Sequence, residues 1–557
     1  MNKLSGISSH PIRIGTGSRR MNLTLALFSG ILLGLSFPPL PTAMFAYIGF
    51  IPFFIMISRL EGVMRPLRYS YVMLFVFNAI SLYWVGGFTH GRDPYLMLAG
   101  AGLMIGHPFF FFLPIAAALL VRKSWGERWM LVTFPIFWIG FEYWHSLGDI
   151  AFPWITLGNS QASDPARVQF ISWTGIYGAS LLILIVNVLL YVVWRNLSTG
   201  RWTIASHRTI LTTLAGIVLV LLPKIHGEIV LRTHPVETIH SAESLTVGIV
   251  QPNIDPWGKW SGGEKLQQLR LYQDLTDSLV RRGAKFVVWP ETALPYFILL
   301  PRYQFHRSMI EEQIDSLHIA LLTGFPDVVF YPDSIKANPS SKRTTVTREW
   351  YDTYNSAVLF LPGNRQVQRY HKMLLVPFGE RVPYADTFVF LNVLEWGVGL
   401  SGWGVGKEMT IFRLPDSTGD IKFSTLICYE SIYPGFVREF VNSGAEFLVI
   451  ITNDSWWGRT SGFLQHADYA RLRAIENRRW IVRCANGGIS TFVDPYGRMY
   501  QSTEYDTQAI RLQSIGFNQE KTLYARWGDY IAIPAFGLSL GLTVVAAGWI
   551  FIRKGKK

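Results

Sequence analysis

The chain has 557 residues, half of them hydrophobic and only 16% charged, whereas an average soluble domain carries about 25% charged residues. Its net charge is +13, but the basic residues lie in short loops between apolar runs and form no stripe with interleaved aromatics, which argues against nucleic acid as a partner. The two cysteines, Cys428 and Cys484, allow at most one bridge; they are no disulfide framework and lack zinc spacing, and no metal or organic cofactor is implied.

A membrane span needs about 20 mostly apolar residues. Candidate runs occur at 21–39, 43–58, 70–88, 95–121, 129–146, 169–194 and 209–224, with an eighth at 532–552. Ser18, Arg19 and Arg20 before the first run could open a signal peptide. No small-residue cleavage site follows and further spans come directly after, so the run reads as a retained helix. Basic residues alternate between loops. Arg59, Arg65 and Arg68 follow the second run, Arg122, Lys123 and Arg128 the fourth, and Arg195, Arg201 and Arg208 the sixth. The intervening loops hold none near Pro38–Thr42, then only Arg92, then only Arg167. Basic loops favour the cytoplasm, so the N-terminus is expected inside and residue 230 outside. The eighth run would return the tail, with Arg553, Lys554, Lys556 and Lys557, to the inside. The expected organisation is a seven-helix bundle over 1–228, an outer domain over 229–528, and a final helix with a basic tail over 529–557. Glu142 and His145 are expected to reach the membrane interface from the outer end of the fifth run, and His107 to hydrogen-bond a neighbouring helix.

From residue 245 the pattern changes. Short β-branched and aromatic runs appear at Leu245–Val250, Phe286–Trp289, Ile319–Gly324, Ala357–Leu361, Ser424–Cys428, Phe447–Thr452 and Trp480–Arg483. Helical stretches such as Lys265–Arg282 and Leu464–Arg478 lie between some of them, which predicts a layered α/β domain. Reactive groups stand at three strand ends, where a rigid scaffold meets a cleft: Glu291 after Trp289-Pro290, Lys372 before Leu374–Pro377, and Cys428 after Ser424–Ile427. A carboxylate, an ammonium and a thiol in one cleft form a working set of base, charge stabiliser and nucleophile. Taken singly, each has an ordinary reading: a buried core thiol, a helix-start acid and a solvated lysine. The hydrophilic stretch Tyr331–Asp352 reads as a mobile surface insertion without assigned function.

The strings Trp289-Pro-Glu-Thr, His371-Lys-Met-Leu-Leu-Val-Pro-Phe-Gly-Glu, Ile427-Cys-Tyr-Glu and Thr452-Asn-Asp-Ser-Trp-Trp-Gly occur in the order seen in the carbon–nitrogen hydrolase (nitrilase) superfamily. Set between membrane runs, they resemble its membrane-bound apolipoprotein N-acyltransferase family, as do Phe152-Pro-Trp with Leu157, Gly158 and Gln161, and Val250-Gln-Pro-Asn-Ile. The resemblance covers nearly the whole chain. It implies a multi-pass α-helical bundle joined to an α-β-β-α sandwich. Glu291, Lys372 and Cys428 match the family's catalytic triad. Glu380 matches a second glutamate that supports the lysine or orients the acyl carbonyl. Tyr429 and Glu430 match the residues flanking the nucleophile, and Trp260 resembles an aromatic near the site. Cys484 matches no family nucleophile and reads as structural. Trp456-Trp457 departs from a family pattern of one aromatic followed by a different residue, and leaves the triad untouched.

The reaction implied is a two-step acyl transfer through a thioester on Cys428. The donor is a phospholipid ester, at its sn-1 chain, and the acceptor is the α-amine of a diacylated lipoprotein cysteine. The expected location is a bacterial inner membrane, with the catalytic domain in the periplasm, both termini cytoplasmic, and a monomer as the simplest assembly. The alternative is a membrane-anchored amidase using the same triad with water as acceptor. Apolar stretches at 295–301 and 387–406 are expected as lids on the outer leaflet, because a soluble amidase would not expose them without a partner.

Overall fold

A computed structural model describes residues 18–89, 91–235, 244–260, 265–331, 338–345, 347–388, 402–417 and 419–555. All eight apolar runs are helical. Among the described residues, five helices are long and apolar enough to cross a membrane: Met64–Gly86, Pro94–Trp125, Ile176–Ser198, His207–Thr233 and Ala532–Arg553. The other three fall short of that standard. Arg19–Leu35 has 17 residues, Ala43–Ser58 is a short apolar helix, and Glu127–Trp144 carries Glu127, Arg128 and Glu142. Length and composition therefore support five spans where eight were expected, and the set fits a membrane bundle.

Local sequence sets the helix ends. Asp93 caps the amides of Tyr95 and Leu96, with Pro94 in the first turn, and Ser206 caps Thr209. The bundle centre is aromatic: Phe50 packs against Trp138 at 4.8 Å, and Phe54 against Phe134 at 5.0 Å. Several of its polar residues find partners within it. Asn187 accepts from the Phe50 amide at 2.8 Å and donates to the Ala46 carbonyl at 2.8 Å. Glu142 and His145 do not reach an interface. Glu142 Oε1 accepts from Trp138 Nε1 at 3.0 Å and from the Leu157 amide at 2.7 Å. His145 Nε2 lies 2.7 Å from His107 Nε2, and His107 Nδ1 lies 2.6 Å from Asn78 Oδ1 on a neighbouring helix. The segment 147–169 folds back over the helix ends, supplying the Leu157 amide to Glu142 and the Phe152 amide to the His145 carbonyl.

The bundle does not end at residue 228. Its last N-terminal helix continues to Thr233, and the first strand begins at Ser244. Two sheets follow. One runs in the order β13 (Ala509–Gly516), β1 (Ser244–Gln251), β2 (Phe286–Val288), β3 (Ala320–Tyr331), β5 (Trp350–Leu361), β4 (Lys342–Arg343), with β6 (Asn364–His371) also paired to β5. The other runs β12 (Met499–Tyr500), β11 (Thr491–Val493), β10 (Ile481–Ala485), β9 (Phe447–Thr452), β8 (Ile421–Ile427), β7 (Phe412–Leu414). β1, β2 and β3 are parallel, as are β8, β9 and β10, and these central strands are almost wholly buried, as parallel sheets require. The sheets face one another across an apolar core in which the Phe286 ring stands 5.2 Å from Phe423. Helices Lys265–Val280 and Gln304–Leu317 cover the first sheet, while Pro434–Asn442 and Ser461–Asn477 cover the second, completing an α-β-β-α sandwich. The expected surface insertion is partly regular: β3 extends to Tyr331 and β5 starts at Trp350, with β4 between them, and residues 332–337 and 346 lie outside the described residues.

The sandwich is seated on the loops that are poor in basic residues. Gln465 Nε2 donates to the Pro38 carbonyl at 2.9 Å, and Arg92 pairs with Asp255 at 3.1 Å. Tyr429 and Tyr433 both donate to the Ala151 carbonyl, at 2.9 and 3.0 Å. Glu476 of the sandwich accepts from the Ile176 amide at 2.9 Å and so caps the helix Ile176–Ser198.

Candidate active site

β2 delivers Glu291. The chain turns sharply after Pro290, with Thr292 at φ +45°, and Gly324 on the neighbouring strand permits the approach. A Cβ there would stand 2.5 Å from the Thr292 amide and 2.7 Å from the Glu291 Cα. β6 delivers Lys372, whose amide donates to the Asn355 carbonyl at 2.9 Å. β8 delivers Cys428, which adopts a left-handed φ of +53° at the start of a 3₁₀ turn. That conformation costs about 1 kcal/mol or more in a residue with a Cβ and persists only where surrounding contacts impose it. Here the Cys428 carbonyl lies 3.1 Å from His466 Nε2 and accepts from the Ser431 hydroxyl at 2.8 Å.

Glu291, Lys372, Glu380, Cys428, Tyr429 and Trp260 line one cleft with about 200 Å³ of free volume. Lys372 Nζ lies 2.8 Å from Glu380 Oε1 and 3.7 Å from Glu291 Oε1. Asn355 Nδ2 donates to both carboxylates, at 2.7 Å to Glu291 and 3.0 Å to Glu380, while Glu380 Oε2 accepts from the Val376 amide at 2.8 Å. Burial works against the Lys372 charge, yet the Glu380 and Glu291 carboxylates hold its pKa above the usual lysine value. Burial raises the Glu291 pKa, and Lys372 offsets part of that rise. Burial and the Glu291 carboxylate push the Cys428 thiol well above its usual range, with Lys372 pulling the other way. At rest the arrangement favours a neutral thiol beside an ion-paired carboxylate and ammonium.

Glu430 is not among the residues lining the cleft. It is fully buried behind it, where its carboxylate accepts from the amides of Ile427 (2.7 Å), Met373 (2.7 Å) and Leu374 (3.2 Å) and from the Tyr370 hydroxyl (2.6 Å). Burial raises its pKa to about 7 despite these donors. It ties the Cys428 turn to the Lys372 loop from behind the cleft wall. Glu430→Ala should cost about 3 kcal/mol by stranding buried donors, and thermal unfolding reads the loss. Glu430→Gln should recover part of it, because one carbonyl oxygen can still accept.

Several residues here had no motif to announce them. Asn355 stands among Asp352, Thr353 and Ser356 in the polar first half of β5, and nothing in the sequence sets it apart. Lys259 is buried, and donates to the Glu291 carbonyl at 3.2 Å and Thr292 Oγ1 at 3.0 Å; burial lowers its pKa to about 7, with Glu291 opposing. Trp84, Tyr95, Leu96 and Ala99, from the apolar helices, complete the cleft wall. Behind Cys428, His466 Nδ1 and a guanidinium nitrogen of Arg483 lie 2.9 and 2.7 Å from the two Asp454 oxygens. Cys484 sits between the sheets with its thiol 3.3 Å from the carbonyls of Val250 and Val288, away from the cleft.

The segment 295–301 is not a lid. Tyr296 and Ile298 are buried in the core with Leu294, because the chain turns inward beneath the helix Gln304–Leu317. Of the second expected lid, 389–401 lie outside the described residues. Its end is anchored: Trp403 lines the cleft, and the Gly406 amide donates to the Lys372 carbonyl at 2.8 Å. Only glycine fits there, since a Cβ would lie 2.1 Å from the His371 carbonyl oxygen.

Residues 29–189 match the family model of the apolipoprotein N-acyltransferase N-terminal domain, and residues 246–525 that of carbon–nitrogen hydrolases. Similar proteins include the apolipoprotein N-acyltransferase of Chlorobaculum tepidum, 32% identical over 530 residues that cover 94% of this chain and 96% of the relative. That of Geobacter metallireducens is 31% identical over 534 residues, covering 95% of both chains. That of Rickettsia prowazekii is 27% identical and covers 91% of this chain and 94% of its own. The chain belongs to the apolipoprotein N-acyltransferase family and is an acyltransferase enzyme, with a carbon–nitrogen hydrolase domain joined to apolar helices that fit a membrane bundle.

Proposed function

We propose that this enzyme moves a fatty acyl chain from a phospholipid, at its sn-1 ester, to the α-amine of the diacylglyceryl-cysteine of an apolipoprotein. One observation carries the reading: the cleft holding Glu291, Lys372 and Cys428 is walled by Trp84, Tyr95, Leu96 and Ala99 of the apolar helices. A water-soluble amide would need no such wall, whereas an acyl chain leaving a bilayer does.

Glu291 takes the Cys428 proton as the sulfur attacks the ester carbonyl. Lys372 stabilises the oxyanion, and the ester C–O bond breaks. Glu291 returns the proton to the departing lysophospholipid oxygen, leaving a thioester. The lipoprotein amine attacks that thioester, its nitrogen loses a proton to the base, and the C–S bond breaks to release the amide and restore the thiol. Separate acylation and deacylation give ping-pong kinetics. Trp84, Trp154, Trp403 and Trp457 around the cleft serve to keep water from the thioester.

The basic loops after residues 58, 121 and 194 lie away from the sandwich, which is seated on the basic-poor loops. This supports a bacterial inner-membrane location with the sandwich in the periplasm, eight crossings and both termini in the cytoplasm. Incubation of purified protein with phospholipid and a diacylated lipopeptide should give an amide-linked triacylated product, detected by mass spectrometry. Release of free fatty acid alone would instead identify a hydrolase.

A further inference from the structure

A groove lies at the opposite end of the bundle from the active-site cleft. The helical segment Pro94–Trp125, 32 residues long, begins at the cleft with Tyr95 and Leu96 and ends in this groove. The segment comprises two α-helices, Pro94–Gly106 and Phe112–Trp125, joined through a 3₁₀ turn at His107–Phe109. The groove is bounded by the ends of Phe112–Trp125, Glu127–Trp144 and Ala532–Gly555. Close packing fixes its walls: the Ser124 hydroxyl donates to the Ala546 carbonyl at 2.8 Å, and a Cβ on Gly140 would meet Ser539 Oγ at 2.6 Å.

Its lining pairs cations with exposed indole rings. Lys123 is exposed and has neither ion pair nor hydrogen bond among the described residues. The Arg553 guanidinium lies 5.3 Å from the centroid of Trp549. Trp129 and Trp549 are 54% and 43% exposed. Arg122 adds charge, but its guanidinium already donates to the carbonyls of Ile57, Leu60 and Gly62. Glu127 acts on Arg122 and itself pairs with Arg195 at 2.7 Å and accepts from Tyr191 at 2.8 Å. Beyond the groove the helix faces stay apolar and exposed, at Val132, Leu538 and Val545. Cations and indoles at the end of an apolar face match a phosphodiester headgroup with its acyl chains running along the helices.

We propose that this groove binds an anionic phospholipid, whose headgroup phosphate meets Lys123 and Arg553 while its chains lie against Leu542 and Val545. The lipid bridges the C-terminal helix to its two neighbours. That helix has the greatest need of such a bridge, because little of its apolar surface is covered by protein.

The test uses the full-length protein, delipidated in detergent, with lipid retention read by native mass spectrometry and unfolding temperature. Phosphatidylglycerol should bind and raise the unfolding temperature, whereas phosphatidylcholine and inorganic phosphate should not. Lys123→Gln combined with Arg553→Gln should weaken phosphatidylglycerol about thirtyfold, from two lost charges near the surface. Lys123→Arg with Arg553→Lys should retain binding. Arg65→Gln with Arg201→Gln removes two exposed charges from other loops and should leave binding unchanged. Equal weakening by both Gln pairs would reduce the effect to general surface charge and overturn the proposal. So would unchanged binding in the Lys123/Arg553 pair, or an equal response to inorganic phosphate.

Discussion

Exposure of the purified protein to phospholipid alone should add the mass of one fatty acyl chain, located on Cys428. Cys428→Ala should abolish both the adduct and the overall transfer, a loss of at least about 10³-fold, because Cys428 carries the one thiol among the described residues that line the cleft. Cys484→Ala is the matched control. Its thiol is buried between the sheets on the carbonyls of Val250 and Val288, so its loss should cost about 1 kcal/mol of stability and leave the adduct intact. An adduct on Cys484 instead of Cys428, or transfer by the Cys428→Ala protein, would remove Cys428 from the mechanism. Adduct formation should also depend on pH in a defined direction. Glu291 must be ionised to accept the thiol proton, and burial raises its pKa above 4.5. Acylation should therefore fall as pH is lowered through a midpoint above that of an ordinary glutamate.

Lys372→Met should have two separable effects. Lys372 is only 1% exposed and is shared between Glu291 and Glu380. Removing one partner of a buried charge cluster leaves the others unpaired, at a cost of about 3–5 kcal/mol, which thermal unfolding would register. The second effect concerns the pH profile. Lys372 is the leading influence holding the Glu291 pKa down against burial, so its loss should move the acid limb of thiol acylation to higher pH. Activity should fall by about 10²-fold or more, as when an oxyanion donor is removed. A variant of lower stability with an unmoved acid limb would mean that Lys372 braces the cleft without tuning the base. Glu380→Gln separates the cases: it weakens the lysine's support yet leaves the Glu291–Lys372 contact in place.

The sequence by itself determined the two-part architecture and most elements. Apolar runs of helical length and short β-branched runs bury their side chains in only a few ways, so β9 falls at Phe447–Thr452 as expected and the helix Lys265–Val280 within two residues of its expected end. Chain-local motifs also pointed to the strand ends that carry Glu291, Lys372 and Cys428. What only the tertiary structure decided depends on residues far apart in the chain. Asn355 bridges two carboxylates because antiparallel pairing sets β5 beside β6, next to the turn after β2. Glu430 faces away from the cleft because four donors surround it, from β6, from the loop that follows β6 and from the end of β8. Tyr296 and Ile298 entered the core because a helix covers them, although their hydropathy alone suits a lid equally well. Glu142 and His145 are buried because the segment 147–169 returns over the helix ends. Hydropathy and spacing record what each segment must bury; which surface buries it, and which polar partner it then meets, is settled when distant segments pack together.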